Sequence, residues 1–149
     1  MNLRSIRRKY GQNYLIDKAV LYEMGNSINP KEKDIFIEIG PGRGALTDQI
    51  NKDDIQILAI DIDAQNIEHL ARKYDGPADI KFIHEDFLKF DVPSNANLHR
   101  IVGNLPYNIS TQIILKLVDD FESIKDMHFL VQREVAEKIT GQKLSLIHI

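Results

Sequence analysis

The stretch that most limits the possible fold is Asp34-Ile-Phe-Ile-Glu-Ile-Gly-Pro-Gly-Arg-Gly-Ala-Leu-Thr47. It opens as a short run rich in isoleucine and phenylalanine, the pattern of a strand buried on both faces. Gly40, Gly42 and Gly44 then alternate through a turn, and a helix-forming pattern resumes at Ala45. A strand ending in a glycine turn beneath a helix N-terminus is a place where a nucleotide-like ligand approaches the backbone closely. The rest of the chain must supply a sheet around that strand.

It does so by alternation. Asp17 is a candidate N-cap for a helix over 18–27, with Val20, Leu21 and Met24 on one face. Strands are predicted at 34–39, 55–61, 79–84, 98–102 and 126–132. Helices are predicted at 45–51, 64–74, 111–119 and 134–140. Ile67, Leu70 and Ala71 form the inner side of the second of these. Ile113, Ile114, Leu117 and Val118 form the apolar face of the third. The connections are too long for hairpins, which implies right-handed crossovers and an α/β, Rossmann-like, mostly parallel, doubly wound sheet. Ligands of such sheets sit outside the carboxyl ends of the strands. The glycines, Asp61, Asp86 and Asn104 each fall at such an end, on successive strands.

Composition removes several classes. A chain of 149 residues is one domain's worth, long enough for a real core. No apolar run approaches the ~20 residues that span a bilayer. With no cysteine there is neither a disulfide framework nor a thiolate metal site, and none of the five histidines has metal-ligand spacing. A net charge of −3 argues against a protein that coats nucleic acid over its whole surface. Arg4, Arg7, Arg8 and Lys9 are nevertheless clustered without an acid among them. That cluster reads either as a phosphate contact or as a solvated terminus. A soluble cytoplasmic enzyme is the natural expectation.

Glu38-x-Gly40-x-Gly42-x-Gly44 is not the G-x-G-x-x-G of dinucleotide enzymes, because its glycines alternate strictly. It suits a cofactor without a pyrophosphate, whose amino-acid end lies on the turn; the alternative is a plain loop. Asp61, about 20 residues on, stands where an acid accepts hydrogen bonds from ribose hydroxyls. Taken alone, such an acid is more often a helix cap or a solvated charge than a ligand, and Asp63 is the better candidate cap for the helix beginning at Ala64. Asp86 either caps the next turn or accepts from the exocyclic amine of an adenine, and Phe87 either closes over that base or belongs to the core. Asn104-Leu-Pro-Tyr107 carries the most information. The Asn104 side-chain oxygen and the Leu105 carbonyl can accept from an NH₂ group, and Tyr107 can stack on a base, worth roughly 1–3 kcal/mol.

These motifs together resemble the rRNA adenine N6-dimethyltransferases, specifically the bacterial branch acting on small-subunit rRNA. The resemblance is carried by Gly11-Gln-Asn-Tyr-Leu15, by residues 38–47, by Asp86, by Asn104-Leu-Pro-Tyr107 and by Phe129-x-x-Gln132-x-Glu134-Val-Ala136. It runs from about Arg7 to Lys143 and implies a class I S-adenosylmethionine-dependent methyltransferase. By position it implies that Asn13, Leu15 and Gly40 hold the methionine side of S-adenosylmethionine, Asp61 its ribose and Asp86 its adenine, with Gly42 also among the cofactor-binding residues. Asn104 would lie between cofactor and substrate, with Leu105, Pro106 and Tyr107 completing the catalytic block. Tyr14 and Asp61 stand where the family often has Phe and Glu. The implied substrate is a pair of adjacent adenines near the 3′ end of small-subunit rRNA, within an immature small ribosomal subunit. The implied protein is a monomer with no membrane association and no metal. Residues 1–143 correspond to a catalytic domain with about five strands. The family's helical RNA-engaging domain is absent, and 144–149 do not resemble the family's continuation.

The chemistry such a site performs needs no enzyme nucleophile, because a sulfonium already activates the methyl group. Two fixed acceptors at Asn104 and Leu105 favour a pyramidal adenine N6 with its lone pair aimed at the methyl carbon, which is catalysis by positioning. The target base must leave its stack to enter. Competing readings are a non-catalytic RNA-binding or ribosome-assembly factor, and an inert fragment. A further one is a methyltransferase of the same fold acting on DNA adenine, large-subunit rRNA or a small molecule.

Overall fold

The computed structural model describes residues 17–76 and 79–141. The strands are β1 (Ile35–Ile39), β2 (Gln56–Asp61), β3 (Ile80–His84), β4 (His99–Asn104) and β5 (Ile124–Leu130). They form one parallel sheet in the order β3-β2-β1-β4-β5. The helices are α1 (Lys18–Ile28), α2 (Thr47–Ile50), α3 (Ala64–Lys73), α4 (Ser110–Asp119) and α5 (Arg133–Thr140). Short 3₁₀ turns follow β3 at Phe87–Lys89 and precede β5 at Phe121–Ser123.

Both faces of the sheet are covered, which is why β1 is apolar at nearly every position. Ile37, Ile39, Ile60 and Ile101 point to one side and meet Phe87, Phe90, Ile113, Leu117 and Ala136. Phe36, Ile57, Ala59 and Val102 point to the other and meet Leu21, Met24, Ile28, Leu46 and Ile50. Strand order reverses between β1 and β4, so the topological switch point lies beside the end of β1.

The doubly wound parallel sheet matches the expectation, and most element bounds agree within two residues. Asp17 caps α1, accepting from the Ala19 N–H at 2.8 Å. Asp63 caps α3, accepting from the Gln65 N–H at 2.9 Å. Other expectations need correction. The helix predicted at 45–51 is α-helical only from Thr47, because the glycine turn runs on as far as Leu46. The inner side of α3 is Asn66 and Leu70, while Ala71 faces solvent, since Asn66 is drawn inward to Asp61. Val118 of α4 is 53% exposed, leaving Ile113 and Leu117 as the buried pair. β5 begins two residues before its predicted start, set by parallel pairing from His99↔Ile124 to Asn104↔Leu130.

Arg100 of β4 is buried yet satisfied. Its guanidinium donates to Asp34 Oδ2 at 2.7 Å and to both oxygens of Asp126 at 2.9 Å. It also donates to the Ile28 carbonyl at 2.5 Å, tying the end of α1 to the strands. Among the described residues no helix is long and apolar enough to cross a membrane, and no cluster of His, Cys, Asp or Glu could hold a metal ion.

Candidate active site

The glycine turn owes its shape to backbone conformations that L side chains rarely adopt. Gly40, Gly42 and Gly44 have φ of 64°, 58° and 88°. The Gly40 N–H donates to the Ile60 carbonyl at 2.8 Å, which fastens the start of the turn to β2. A Cβ built on Gly40 would meet nothing within 4 Å, so the backbone there is open to a ligand. Gly44 is the opposite case. A Cβ there would lie 2.7 Å from the Tyr74 hydroxyl and 3.0 Å from Leu70 Cδ2.

Parallel register carries the other predicted residues to the same edge. Asp61 ends β2, Asn104 ends β4, and Asp86 follows β3 by two residues. Adjacent strands lie about 4.8 Å apart, so Asp86, Asp61, Gly40 and Asn104 form a row of roughly 14 Å across four strand ends. Asp61 is 2% exposed and is not a solvated charge. Its Oδ2 accepts from the Gly42 N–H at 3.1 Å and from Asn66 Nδ2 at 3.2 Å, and its Oδ1 from the Asp63 N–H at 2.9 Å. Burial raises its pKa, and these donors oppose the rise. A carboxylate has four acceptor sites, so one remains on Oδ1 for a ligand.

Asp86 is half-buried and caps the 3₁₀ turn, its Oδ1 accepting from the Leu88 N–H at 3.0 Å. Phe87 is a core residue, with its ring 5.8 Å from that of Phe90. Asn104 is half-buried, and Leu105 is buried, its N–H donating to the Leu130 carbonyl at 2.9 Å. The Pro106 carbonyl accepts from the Ser110 N–H at 3.1 Å and so starts α4. Tyr107 is 62% exposed, with its ring available at the sheet edge. Asn13, Leu15 and the basic cluster lie outside the described residues.

Three groups carry weight that the sequence reading did not assign. Glu38 lies directly behind the turn, 1% exposed, with Oε2 accepting from the Thr47 hydroxyl at 2.6 Å. An acid in the middle of an apolar strand is itself a signal, because buried carboxyls are rare without a purpose. Tyr74 and Lys73, at the end of α3, brace the turn from outside. The Tyr74 hydroxyl donates to Asp48 and contacts the Gly44 carbonyl, and the Lys73 ammonium donates to Asp48 Oδ2 at 2.8 Å. Gly103 lets β4 approach β1: a Cβ there would lie 2.8 Å from the Ile39 carbonyl. A cleft of about 820 Å³ opens at the opposite, amino ends of the strands, between Lys33, Asp54, Gln56 and Asp79. It contains none of the predicted site residues.

The model of the ribosomal RNA adenine dimethylase family matches residues 3–147. The chain belongs to that family. A relative in Coxiella burnetii (strain Dugway 5J108-111), ribosomal RNA small subunit methyltransferase A, is 38% identical over 144 residues, 95% of this chain and 56% of the relative. Among solved structures, a dimethyladenosine transferase from Plasmodium falciparum superposes with a TM-score of 0.75 at 26% identity, over 87% of this chain and 47% of that one. The 23S rRNA methyltransferase ErmE superposes with a TM-score of 0.71 at 27% identity, over 87% of this chain and 52% of that one. The fold is that of class I methyltransferases. The chain spans about half the length of the curated relatives it matches.

Proposed function

We propose that this chain is the cofactor-binding part of an S-adenosylmethionine-dependent enzyme that dimethylates adenine N6 in small-subunit rRNA. The observation that carries the reading is the row Asp86, Asp61, Gly40 and Asn104 across four neighbouring strand ends. Its length, roughly 14 Å, suits a nucleoside joined to an amino acid and laid along the sheet edge. Asp86 would take the adenine amine with the oxygen not used by Leu88, and Asp61 a ribose hydroxyl with its last acceptor site. The open backbone at Gly40, with Asn13, Leu15 and Gly42, would hold the methionine end. When bound, the cofactor supplies an already activated methyl group.

The chain's own residues then have to present a nucleophile. Asn104 and the Leu105 carbonyl accept from the target amine and aim its lone pair, Pro106 holds the carbonyl's direction, and Tyr107 stacks on the flipped base. Small-subunit rRNA is favoured over 23S rRNA because the sequence relatives at 37–43% identity are small-subunit enzymes. The 23S rRNA methyltransferase ErmE stands at 27%. The setting proposed with it is a cytoplasmic monomer acting on an immature small ribosomal subunit, with residues 1–143 in the catalytic part.

Transfer of labelled methyl groups from S-adenosylmethionine to total RNA of a strain lacking the native activity tests this. Label should appear as dimethyladenosine in small-subunit rRNA. Label in 23S rRNA or in DNA would reassign the substrate. If the cofactor raises the thermal midpoint and no nucleic acid is labelled, the chain binds without catalysing.

A further inference from the structure

Glu38 is a buried ionisable group for which the proposed reaction has no use and which, unlike Arg100 and Asp34, has no ion-pair partner among the described residues. Its Oε2 is taken by Thr47, while Oε1 is buried with no hydrogen-bond partner among the described residues. A buried oxygen left without a donor is costly unless it carries a proton or meets a cation. The cation nearest to hand is engaged elsewhere: Lys73 donates to Asp48 Oδ2 at 2.8 Å and to the Arg43 carbonyl at 3.3 Å. The other titratable groups facing Glu38 are Asp48 on α2, Asp61 on β2 and Tyr74 on α3. Carboxyls therefore outnumber cations beneath the turn. Burial pushes the Glu38 carboxyl up to about 7, with the Thr47 hydroxyl opposing and Asp48 and Asp61 adding to the rise.

We propose that Glu38 is the charge partner of the cofactor's ammonium end: protonated in the empty protein, it releases its proton to solvent as the ammonium settles against the glycine turn. The inference rests on the reading that S-adenosylmethionine binds there. The carboxyl O–H bond breaks, its electron pair stays on Oε1, and the proton goes to the buffer, so charge balances within the seat. Glu38 is a positioning residue in this scheme. It adds one negative charge to the seat only when the ligand is in place, which favours a cationic ligand over an uncharged one of the same shape.

Calorimetric titration of the 149-residue chain with S-adenosylmethionine, in phosphate and in Tris, counts the protons released. At pH 7 a group titrating near 7 should release about half a proton, less the small share taken up by cofactor whose α-amino group is still neutral, and this uptake grows as pH rises. S-adenosylhomocysteine keeps the ammonium and lacks the sulfonium charge, and it should give the same release. Glu38→Gln should still bind and release none. Thr47→Val removes the opposing hydroxyl and should release more than the parent at pH 7, a check that survives if Glu38→Gln fails to fold. Binding with equal enthalpy in both buffers overturns the proposal, as does a release that persists in Glu38→Gln or appears only with the sulfonium. No binding in either buffer overturns the cofactor reading beneath it.

Discussion

The Asp61 carboxylate accepts the Gly42 N–H at 3.1 Å, joining the end of β2 to the middle of the glycine turn. Asp61 therefore shapes the turn as well as being the proposed ribose partner. Replacing it with Asn puts an NH₂ where one oxygen accepts, so one of its three donors loses its partner. We expect Asp61→Asn to weaken S-adenosylmethionine binding by about tenfold, near 1.4 kcal/mol. Titration calorimetry measures this, and an unchanged affinity would mean that neither the turn nor the ribose depends on the carboxylate.

Gly44→Ala should be the most damaging change within the turn. It combines a φ of 88° with a Cβ 2.7 Å from the Tyr74 hydroxyl. The expected cost is about 1–3 kcal/mol, seen as a midpoint lowered by roughly 2–4 °C for each kcal/mol. Adding Tyr74→Phe should recover the contact part of the loss and leave the backbone strain. Simple additivity of the two changes would show that the hydroxyl is not the obstacle.

Arg100 holds Asp34 and Asp126, and its removal leaves buried Asp34 with only the exposed Lys125 ammonium, 3.9 Å away, as a counter-charge. Urea unfolding of Arg100→Met should show a loss of about 3–5 kcal/mol, partly restored by Asp34→Asn. Burial works to raise the Asp126 pKa, but the Arg100 guanidinium prevails and leaves it lowered. The resulting stability is present above the unfolded carboxylate value and is lost as pH falls through the lower folded one. Acid unfolding of Asp126→Asn should lack this component.

Glu38 has the opposite sign. Its pKa rises from 4.5 to about 7, so its favourable contribution is complete below 4.5 and lost as pH climbs through 7. Between those limits the ligand-free protein should lose stability on the order of 3 kcal/mol. Asp61 is shifted in the same direction. Denaturant midpoints followed from pH 5 to 8 should decline in the parent and flatten in Glu38→Gln. A parent curve that rises over this range would mean that Glu38 is ionised in the empty fold.

Asn104→Ala addresses catalysis alone. Removing one fixed acceptor from the target amine should lower methyl transfer by about 10²–10³-fold, while cofactor affinity stays within a few-fold of the parent. Comparable turnover in a labelled-methyl assay would take Asn104 out of the mechanism.

Much of this was legible in the chain itself. The alternation of short apolar runs with helical patterns determined a parallel α/β sheet, because both faces of such a sheet must be covered. The end of each run located Gly40, Asp61, Asp86 and Asn104 at one edge, because side-chain function gathers at carboxyl ends. Local chemistry also identified the caps Asp17 and Asp63, which act within two residues of themselves. What depended on distant segments meeting was decided only by the tertiary structure. Asp61 turned inward because Gly42 and Asn66 supply donors there. Val118 stayed exposed because the buried stripe of α4 runs through Ser110, Ile113 and Leu117. β5 took its bounds from pairing with β4 rather than from its own composition. Above all, Glu38 was visible as an acid in an apolar strand. That it sits behind the turn with one oxygen unpartnered depends on Thr47 returning over it. Burial and charge are properties of the packed neighbourhood, and no window of sequence contains them.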